Sequence, residues 1–550
     1  MKRIINLTAA VLTLVIIASY YWINLPPINP FSTDFWIFVI FLLIFLGLNI
    51  AVRRFTKAIL ALFSTNISSM IRKDVTFSTK NVTGSLKWIV IAIVSILSGL
   101  FILTVVNNRV FRAKSYANVI TVKKADFSKD FPETNLSALA LLDRDSAEKI
   151  GDTYLGTIDK VSQFGISDEY RQVTIGELPY RVSPLEYKSF WKWVTNRQEG
   201  IGYYVKVNQT TGKAELVKLK EAMKYSNSEF MFRDTKRHLR FQHPFAIFSD
   251  PSFEVDDHGT PYYVATTYKP KFGLSSPDPN GVILLNAVTG QSKYYELKNV
   301  PKWVDRVYSA ENVLERVNDY YTYKDGYWNT VFSQSGVKKT TDNYNYITIG
   351  SDIYLYTGIT SATADSSNLG FILVNMRTRQ IINYKLASAT ESSAMQSAEG
   401  EVQEKKYTAT APTLVKLNKK AYYLVSLKDG AGLVKSYALV DAEDYQQVTV
   451  NNDIQTLIAQ FTNRDTSSLS TAIISDKAAK MIAGQVDQLA SQIVSGTTIY
   501  YISSDKTIYK VKASRDTSDL LPFLKVGDRF KAQLGEENYL TNLVIQTETP

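Results

Sequence analysis

The stretch Ile283-Leu-Leu-Asn286-Ala-Val-Thr-Gly290-Gln-Ser-Lys-Tyr-Tyr-Glu-Leu297 decides how this chain is read. Three apolar residues run into an Asn, a turn closes at Gly, and Ser292–Leu297 then alternates as a half-buried strand does. Asn suits the first turn position because its short side chain accepts hydrogen bonds from the backbone just ahead. Gly suits the last because it takes a positive φ without strain. The same pattern returns in Tyr204-Val-Lys-Val-Asn208-Gln-Thr-Thr-Gly212, Ile372-Leu-Val-Asn375-Met-Arg-Thr-Arg379 and Ala438-Leu-Val-Asp441-Ala-Glu-Asp-Tyr445, with spacings of 78, 89 and 66 residues.

The last three copies are each preceded by a strand, at Pro261–Val264, Asp352–Leu355 and Ala421–Leu424. Further short strands joined by tight turns lie ahead of those, in Phe253–Gly259, Tyr346–Gly350 and Leu414–Asn418. Each unit therefore reads as a four-stranded antiparallel meander. The first copy is the least regular, starting at Gln172–Ile175 and passing through Phe190-Trp-Lys-Trp193. Ser309 followed by Ala310, Val313, Leu314, Val317, Tyr320 and Tyr321 predicts an inserted, capped amphipathic helix. Unequal spacing and an inserted helix favour stacked α+β units, with a β-propeller-like arrangement as the alternative.

Working outward, the amino-terminal part is of another kind. Ile4–Ile23, Phe35–Val52 and Trp88–Val106 carry no charge, and each is long enough to cross a hydrocarbon core about 30 Å thick. Three transmembrane helices are expected, with Trp22, Trp36 and Trp88 at their interfaces. Leu25–Asp34 holds no Lys or Arg, whereas Arg53–Lys87 holds seven. Positive loops stay cytoplasmic, so the amino terminus is expected inside and everything after residue 106 outside. Arg109, Arg112 and Lys114 oppose that orientation locally. Phe55–Ile71 reads either as an amphipathic helix on the inner leaflet or as a plain loop helix.

The carboxy-terminal end changes character again. Ile454, Leu457, Ile458 and Phe461 mark a short helix, and a second is expected over Asp476–Val494 on the face of Ile482, Val486, Leu489 and Ile493. Strands at Thr498–Ile502, Thr507–Val511 and Leu524–Ala532 then suggest a small OB-like barrel. The fold class is α+β and β-rich. Its expected parts are a membrane anchor (1–110), a repeated β-rich extracytoplasmic region (111–450), a helical connector (451–495) and a small barrel (496–550).

Composition limits the function. Of 550 residues, 45% are hydrophobic and 21% charged, which excludes wholesale disorder. Cys is absent, which excludes a disulfide framework, a thiolate metal site and a cysteine nucleophile. The formal charge of +10 lies wholly in residues 1–115, and residues 116–550 are balanced. That balance argues against phosphate contacts, so nucleic-acid binding by the terminal barrel stands only as a third reading.

Ala147-Glu-Lys-Ile-Gly-Asp-Thr-Tyr-Leu-Gly156, Val182-Ser-Pro-Leu-Glu-Tyr187, Val300-Pro-Lys-Trp-Val-Asp-Arg-Val-Tyr308, Ser393-Ala-Met-Gln-Ser-Ala-Glu-Gly400 and Ser426-Leu-Lys-Asp-Gly-Ala-Gly-Leu-Val-Lys435 are the stretches that carry a likeness. Over residues 140–450 the chain resembles a family of large membrane-anchored extracytoplasmic proteins of Gram-positive bacteria. Its Asn-x-x-Thr-Gly hairpins are similar to PepSY-type modules. The resemblance implies an envelope location and carries over no catalytic residues.

Chemistry-bearing residues are few. Of three His, His258 lies in Glu254-Val-Asp-Asp-His-Gly259. Strand alternation there would put Glu254, Asp256 and His258 on one face as divalent-metal ligands, while Asp-Asp-His-Gly is also good turn chemistry. His238 and His243 sit in a basic patch at a spacing that does not align them on a helix. Asp143 and Asp145 flank Arg144, either as a carboxylate pair or as a charged helix start. Ala387–Glu401 reads as a small-polar surface connection or a ligand-contacting loop. No catalytic residue and no cofactor is assigned. The expected role is a non-enzymatic binding or scaffold protein for a protein, peptide or wall-polymer partner. A metal-assisted envelope hydrolase is the rival.

Overall fold

The four turns built on Asn or Asp share one hydrogen-bond pattern. Asn208 Oδ1 accepts from the N–H groups of Thr210 and Thr211, both at 2.9 Å. Asn286 does the same with Val288 and Thr289 at 3.0 and 2.9 Å. Asn375 accepts from Arg377 and Thr378 at 3.0 and 2.8 Å, and Asp441 from Glu443 and Asp444 at 2.9 and 3.1 Å. The first two turns close on Gly212 and Gly290 at φ 72° and 75°. The third puts Arg379 into the same left-handed region at 58°, which costs a non-Gly residue. The structure, a computed structural model, describes residues 2–64, 80–135, 138–154, 162–362, 367–462, 481–494, 497–513, 521, 524–534 and 538–546.

Each turn belongs to its own mainly antiparallel sheet. The first sheet pairs Phe164–Ile166, Leu178–Tyr187, Ile201–Asn208 and Ala214–Met223 in that order, with Arg171–Ile175 also on Leu178–Tyr187. The second is a meander of Ser252–Val255, Pro261–Phe272, Ser275–Asn286 and Ser292–Glu296. The third runs through Lys338–Ile349, Asp352–Ser361, Gly370–Asn375 and Ile381–Lys385, and its fifth strand, Val122–Asp126, joins in parallel. The fourth holds Thr413–Leu417, Lys420–Lys428, Val434–Asp441 and Val448–Asn451, with Thr408–Ala409 beside the second of these.

Consecutive sheets share cores. Val205 and Val207 of the first sheet pack with Phe253, Tyr263, Ile283 and Leu285 of the second. The intervening residues of the second sheet, Val264, Val282 and Leu284, face Ile353, Leu355, Ile372 and Val374 of the third, together with Val313 and Val317 of the helix Ala310–Tyr323. Tyr356, Phe371 and Leu373 then meet Leu414, Tyr423, Val425 and Val440 of the fourth, with Ala394 and Ala398 of the helix Glu391–Glu401. This is period-two patterning with both faces buried.

The residue after each turn's Asn or Asp ties in a neighbouring segment. The carbonyl of Gln209 accepts the N–H groups of Leu141 and Leu142, and that of Ala287 those of Lys224 and Tyr225. The carbonyl of Met376 accepts those of Val307 and Tyr308, and that of Ala442 the N–H of Ala389.

Ser309 caps the helix Ala310–Tyr323, accepting from Asn312 N–H at 3.2 Å. Three other segments depart from the sequence reading. Phe190–Asn196 is a helix capped by Ser189, because the cap and tertiary burial of Trp193 outweigh the strand preference of its aromatics. The connection expected at Ala387–Glu401 is mostly the helix Glu391–Glu401, capped by Thr390 and buried through Ala394 and Ala398. Residues Met481–Gln485 and Gln488–Val494 are strands, not a helix. They are held by pairing with Arg529–Leu534 and Thr497–Ser504, contacts that local periodicity does not encode.

Two of the amino-terminal helices are long and apolar enough to cross a membrane, over Thr33–Val52 and Leu86–Val106, which is compatible with membrane anchoring. A shorter apolar stretch, Ala10–Asn24, lies in the first helix, Lys2–Asn24. The second helix continues to Ser64, so the start of the expected Phe55–Ile71 segment prolongs it; residues 65–71 lie outside the described residues.

The chain divides into two compact units, Met1–Thr466 and Ser467–Pro550. In the second, two three-stranded sheets stand in place of the expected closed barrel, with an isolated bridge, Lys510 to Tyr539, between them. Among the described residues neither a closed barrel nor a propeller is found.

Asn286→Ala removes the one side-chain oxygen that accepts both backbone N–H groups of its turn and should destabilise the first unit by about 1–2 kcal/mol. Asn286→Asp keeps the acceptor and should stay close to the parent. Thermal unfolding of the two variants side by side checks this.

Candidate functional site

The residues singled out as metal ligands do not converge. The strand ends at Val255, so the alternation that would align Glu254 with Asp256 and His258 stops short. Asp256 Oδ1 is occupied by the N–H groups of His258 and Thr260, at 2.9 and 2.8 Å, and His258 is exposed on the turn. Among the described residues no group of three or more His, Asp or Glu is placed to hold a metal ion. Asp143 caps the helix Arg144–Asp152 and pairs with Lys428 at 2.6 Å. His238 lies within hydrogen-bond distance of the carbonyls of Gly290 and Phe232 at 2.8 and 3.2 Å, and His243 of Ser292 Oγ at 2.8 Å. Burial lowers the His243 pKa, with Arg240 adding to the effect.

Glu254 instead belongs to a buried ionic cluster that the sequence reading did not assemble. Phe253 and Val255 face the core shared by the first two sheets, so Glu254 faces the other way. Its Oε1 accepts from Arg171 Nε at 2.9 Å and its Oε2 from the Asp305 N–H at 3.3 Å. Asp305 Oδ2 accepts from Thr174 N–H at 2.7 Å, and Oδ1 is buried without a hydrogen-bond partner. Burial raises the Glu254 carboxyl. Burial, and then the charge of Glu254, raise Asp305 well above the usual carboxylate range. Arg306 stacks 3.9 Å from the Tyr346 ring centroid.

Arg181 lies near this cluster. It sits between the core residues Tyr180 and Val182 and so points away from the core. Its Nη1 donates to Tyr170 O at 2.9 Å, while its Nε is enclosed without a partner. Burial, and then the like charge of Arg306, lower its pKa to about 10. It lines a polar cavity of about 70 Å³ with Asp143, Gln209, Asn345, Thr413 and Ser426, drawn from the first, third and fourth sheets and the segment before the first. A larger cavity of about 140 Å³ is lined mostly by apolar groups, among them Phe131, Ala138, Leu139, Ile347 and Leu414.

The ends of the apolar amino-terminal helices are clamped to the sheets at two places. Between the first two helices, Ile28 N–H donates to Pro244 O at 2.8 Å and Asn29 Nδ2 to Phe245 O at 2.9 Å. Arg240 Nε donates to Leu25 O at 2.9 Å, and Arg237 lies 4.4 Å over the Trp22 ring. Beyond the third helix, Arg109 pairs with Asp319 at 2.7 Å and with Glu315 at 2.5 Å. Gly273, at the tip of a second-sheet hairpin, leaves no room for a Cβ against Leu103 and Asn107.

No family model and no curated protein matches the chain. Two solved mutant forms of the apocarotenoid oxygenase of Synechocystis are similar at 11% identity, with TM-scores of 0.17 and 0.16. The matches cover 54% and 52% of this chain and 64% and 62% of the oxygenase chains, less than two thirds of each. Likeness at that level defines neither fold nor activity.

The acidic pair sets a pH dependence. Both carboxyls are raised, so the folded chain holds protons that the unfolded chain releases near pH 4. This contribution to stability is greatest below about pH 4 and declines as the pH climbs through the folded values. Asp305→Asn should flatten the fall in unfolding temperature as the pH rises above about 4. An unchanged slope in that variant would exclude the pair as its source.

Proposed function

We propose that this is a membrane-anchored, extracytoplasmic binding or scaffold protein that acts non-enzymatically on a protein, peptide or cell-wall partner. The observation that carries the reading is the double clamp between the membrane helices and the sheets. Arg240 and the segment Pro244–Phe245 grip the loop after the first helix, and Asp319 and Glu315 grip Arg109 after the third. A β-rich body tied at two points to its anchor is presented at a fixed height and angle, which suits a scaffold.

In this reading the first helix is a third span, and the seven cations of Arg53–Lys87 keep that loop in the cytoplasm. Exposed Met231, Phe232, Phe241 and Phe245 lie around the outer end of the first helix, with the Phe232 ring 5.0 Å from Trp22. Aromatic groups in that position favour the membrane–water interface. Arg109 opposes exit by its charge, and its two carboxylate partners offset that charge locally. The four equivalent turns support an array of repeated α+β units, in keeping with the resemblance to envelope proteins of Gram-positive bacteria.

The absence of Cys makes the topology directly testable. Asp325→Cys should react with a membrane-impermeant maleimide on whole cells, and Lys73→Cys only after permeabilisation. Labelling in the opposite order would overturn the orientation. Crosslinking on intact cells should then recover one enriched protein, peptide or polymer. Recovery of the chain alone would count against the binding role.

A further inference from the structure

Of the three cations that oppose the proposed orientation, Arg109 has its charge answered by Glu315 and Asp319. Arg112 and Lys114 do not. Both are exposed, and among the described residues neither pairs with a carboxylate. They stand on the helix Arg109–Ala117, which follows the third apolar helix after Asn107 and Asn108. Phe111 on the same helix is 69% exposed. The short helix Tyr327–Val331 packs against it, and Trp328 and Phe332 there are 63% and 78% exposed, with stacked rings 5.8 Å apart. Large apolar groups gathered in this way mark an interaction surface.

The level at which the sheets meet the helices says what covers that surface. A Cβ on Gly273 would come within 2.9 Å of Leu103 Cγ. Leu103 is three residues short of Val106, where the apolar span ends, and so lies about 4.5 Å inside it at 1.5 Å per residue. The hairpin tip thus reaches past the end of the span. Behind the tip, the Phe272 ring lies 4.2 Å from that of Tyr116, and Arg112 stands 6.0 Å over Phe272. A second apolar patch adjoins the first helix. The rings of Phe232 and Phe241 lie 5.0 and 6.1 Å from Trp22, and Phe245, 66% exposed, is held through its carbonyl by Asn29.

We infer that the two apolar patches are feet on which the β-rich body rests in the bilayer surface, and that Arg112 and Lys114 bind the phosphate of an anionic phospholipid such as phosphatidylglycerol. Aromatic side chains favour the boundary between headgroups and acyl chains, and cations beside them draw anionic lipid. A protein partner would have to reach below the end of the third span to cover the hairpin tip, at a level that lipid occupies. The inference rests on the membrane-anchored reading but not on the direction of insertion, because the same surface meets whichever leaflet faces it. A reversed topology leaves the lipid site standing, and a failed lipid site leaves the topology standing.

The test uses the full-length protein, whose lack of Cys allows single labels. Phe245→Cys, Phe332→Cys and, as a control on the fourth sheet, Tyr445→Cys are each tagged with a fluorophore and reconstituted in nanodiscs. A phospholipid with a nitroxide high on its acyl chain should quench the first two labels and spare the third. Native mass spectrometry of the detergent-solubilised protein then compares retention of phosphatidylglycerol with that of phosphatidylcholine. The parent should prefer phosphatidylglycerol, and Arg112→Gln combined with Lys114→Gln should cut the preference about fivefold for each cation lost. Both positions are exposed, so the double variant should unfold at the parent's temperature. Labels quenched no more than the control would overturn the proposal, as would a preference unchanged in the double variant. Displacement of the lipid by glycerol phosphate would overturn it in favour of a soluble-anion site. Labels shielded in native membranes but not in nanodiscs would overturn it in favour of a protein partner.

Discussion

A guanidinium with no exposed surface needs negative charge brought to it, and Arg316 is such a group. Its Nη1 lies 3.5 Å from Asp319 and 3.3 Å from Glu315, and its Nη2 donates to Pro277 O at 3.2 Å. Asp278 stands 3.8 Å from its Nε and is itself bound by Arg379 at 2.5 Å. A buried charge left alone costs several kcal/mol, so these segments are held together by the penalty of separating them. They come from the inserted helix, the second-sheet hairpin and the third-sheet turn. Arg109 adds the extension of the third apolar helix, because it shares Asp319 with Arg316. Burial pushes the Asp319 carboxyl up and Arg109 counters it, which makes the joint to that helix part of the same network. The clamp at Arg109 is thus continuous with the core between the second and third sheets.

What was legible in the sequence was local. An Asn accepting from the second and third N–H groups ahead of it needs only its own turn, so all four turns could be read from spacing and residue type. The cap at Ser309 and the apolar lengths of Thr33–Val52 and Leu86–Val106 are equally local. The helix Glu391–Glu401 was hidden because the apolar residues it buries fully, Ala394 and Ala398, are too small to make an apolar stripe. Thr390, accepting from Ser393 N–H at 3.2 Å, was the one signal that could have found it. The parallel strand Val122–Asp126 pairs with residues about 260 positions away, a contact that no periodicity announces.

The candidate site was less legible than the fold, for a related reason. Glu254 was noticed for its acidic neighbours in sequence, yet its partners are Arg171 and Asp305, supplied by other elements. The usable signal was a charged residue within an apolar alternation: Glu254 between Phe253 and Val255, and Arg181 between Tyr180 and Val182. In a sheet buried on both faces, such a residue cannot reach water and must meet other polar groups inside.

The turns and the polar cavity are one construction. Gln209 follows a turn Asn, and both its backbone carbonyl, which accepts from Leu141 and Leu142, and its side-chain amide, which donates to Leu142 O at 2.8 Å, are committed to the same segment beside the cavity. Leu141 O also accepts from Ser426 Oγ at 2.8 Å, and Asp143 holds Lys428, both from the fourth sheet. The segment Leu139–Asp143 therefore links the last of the four sheets to the first, and the cavity lies along that link.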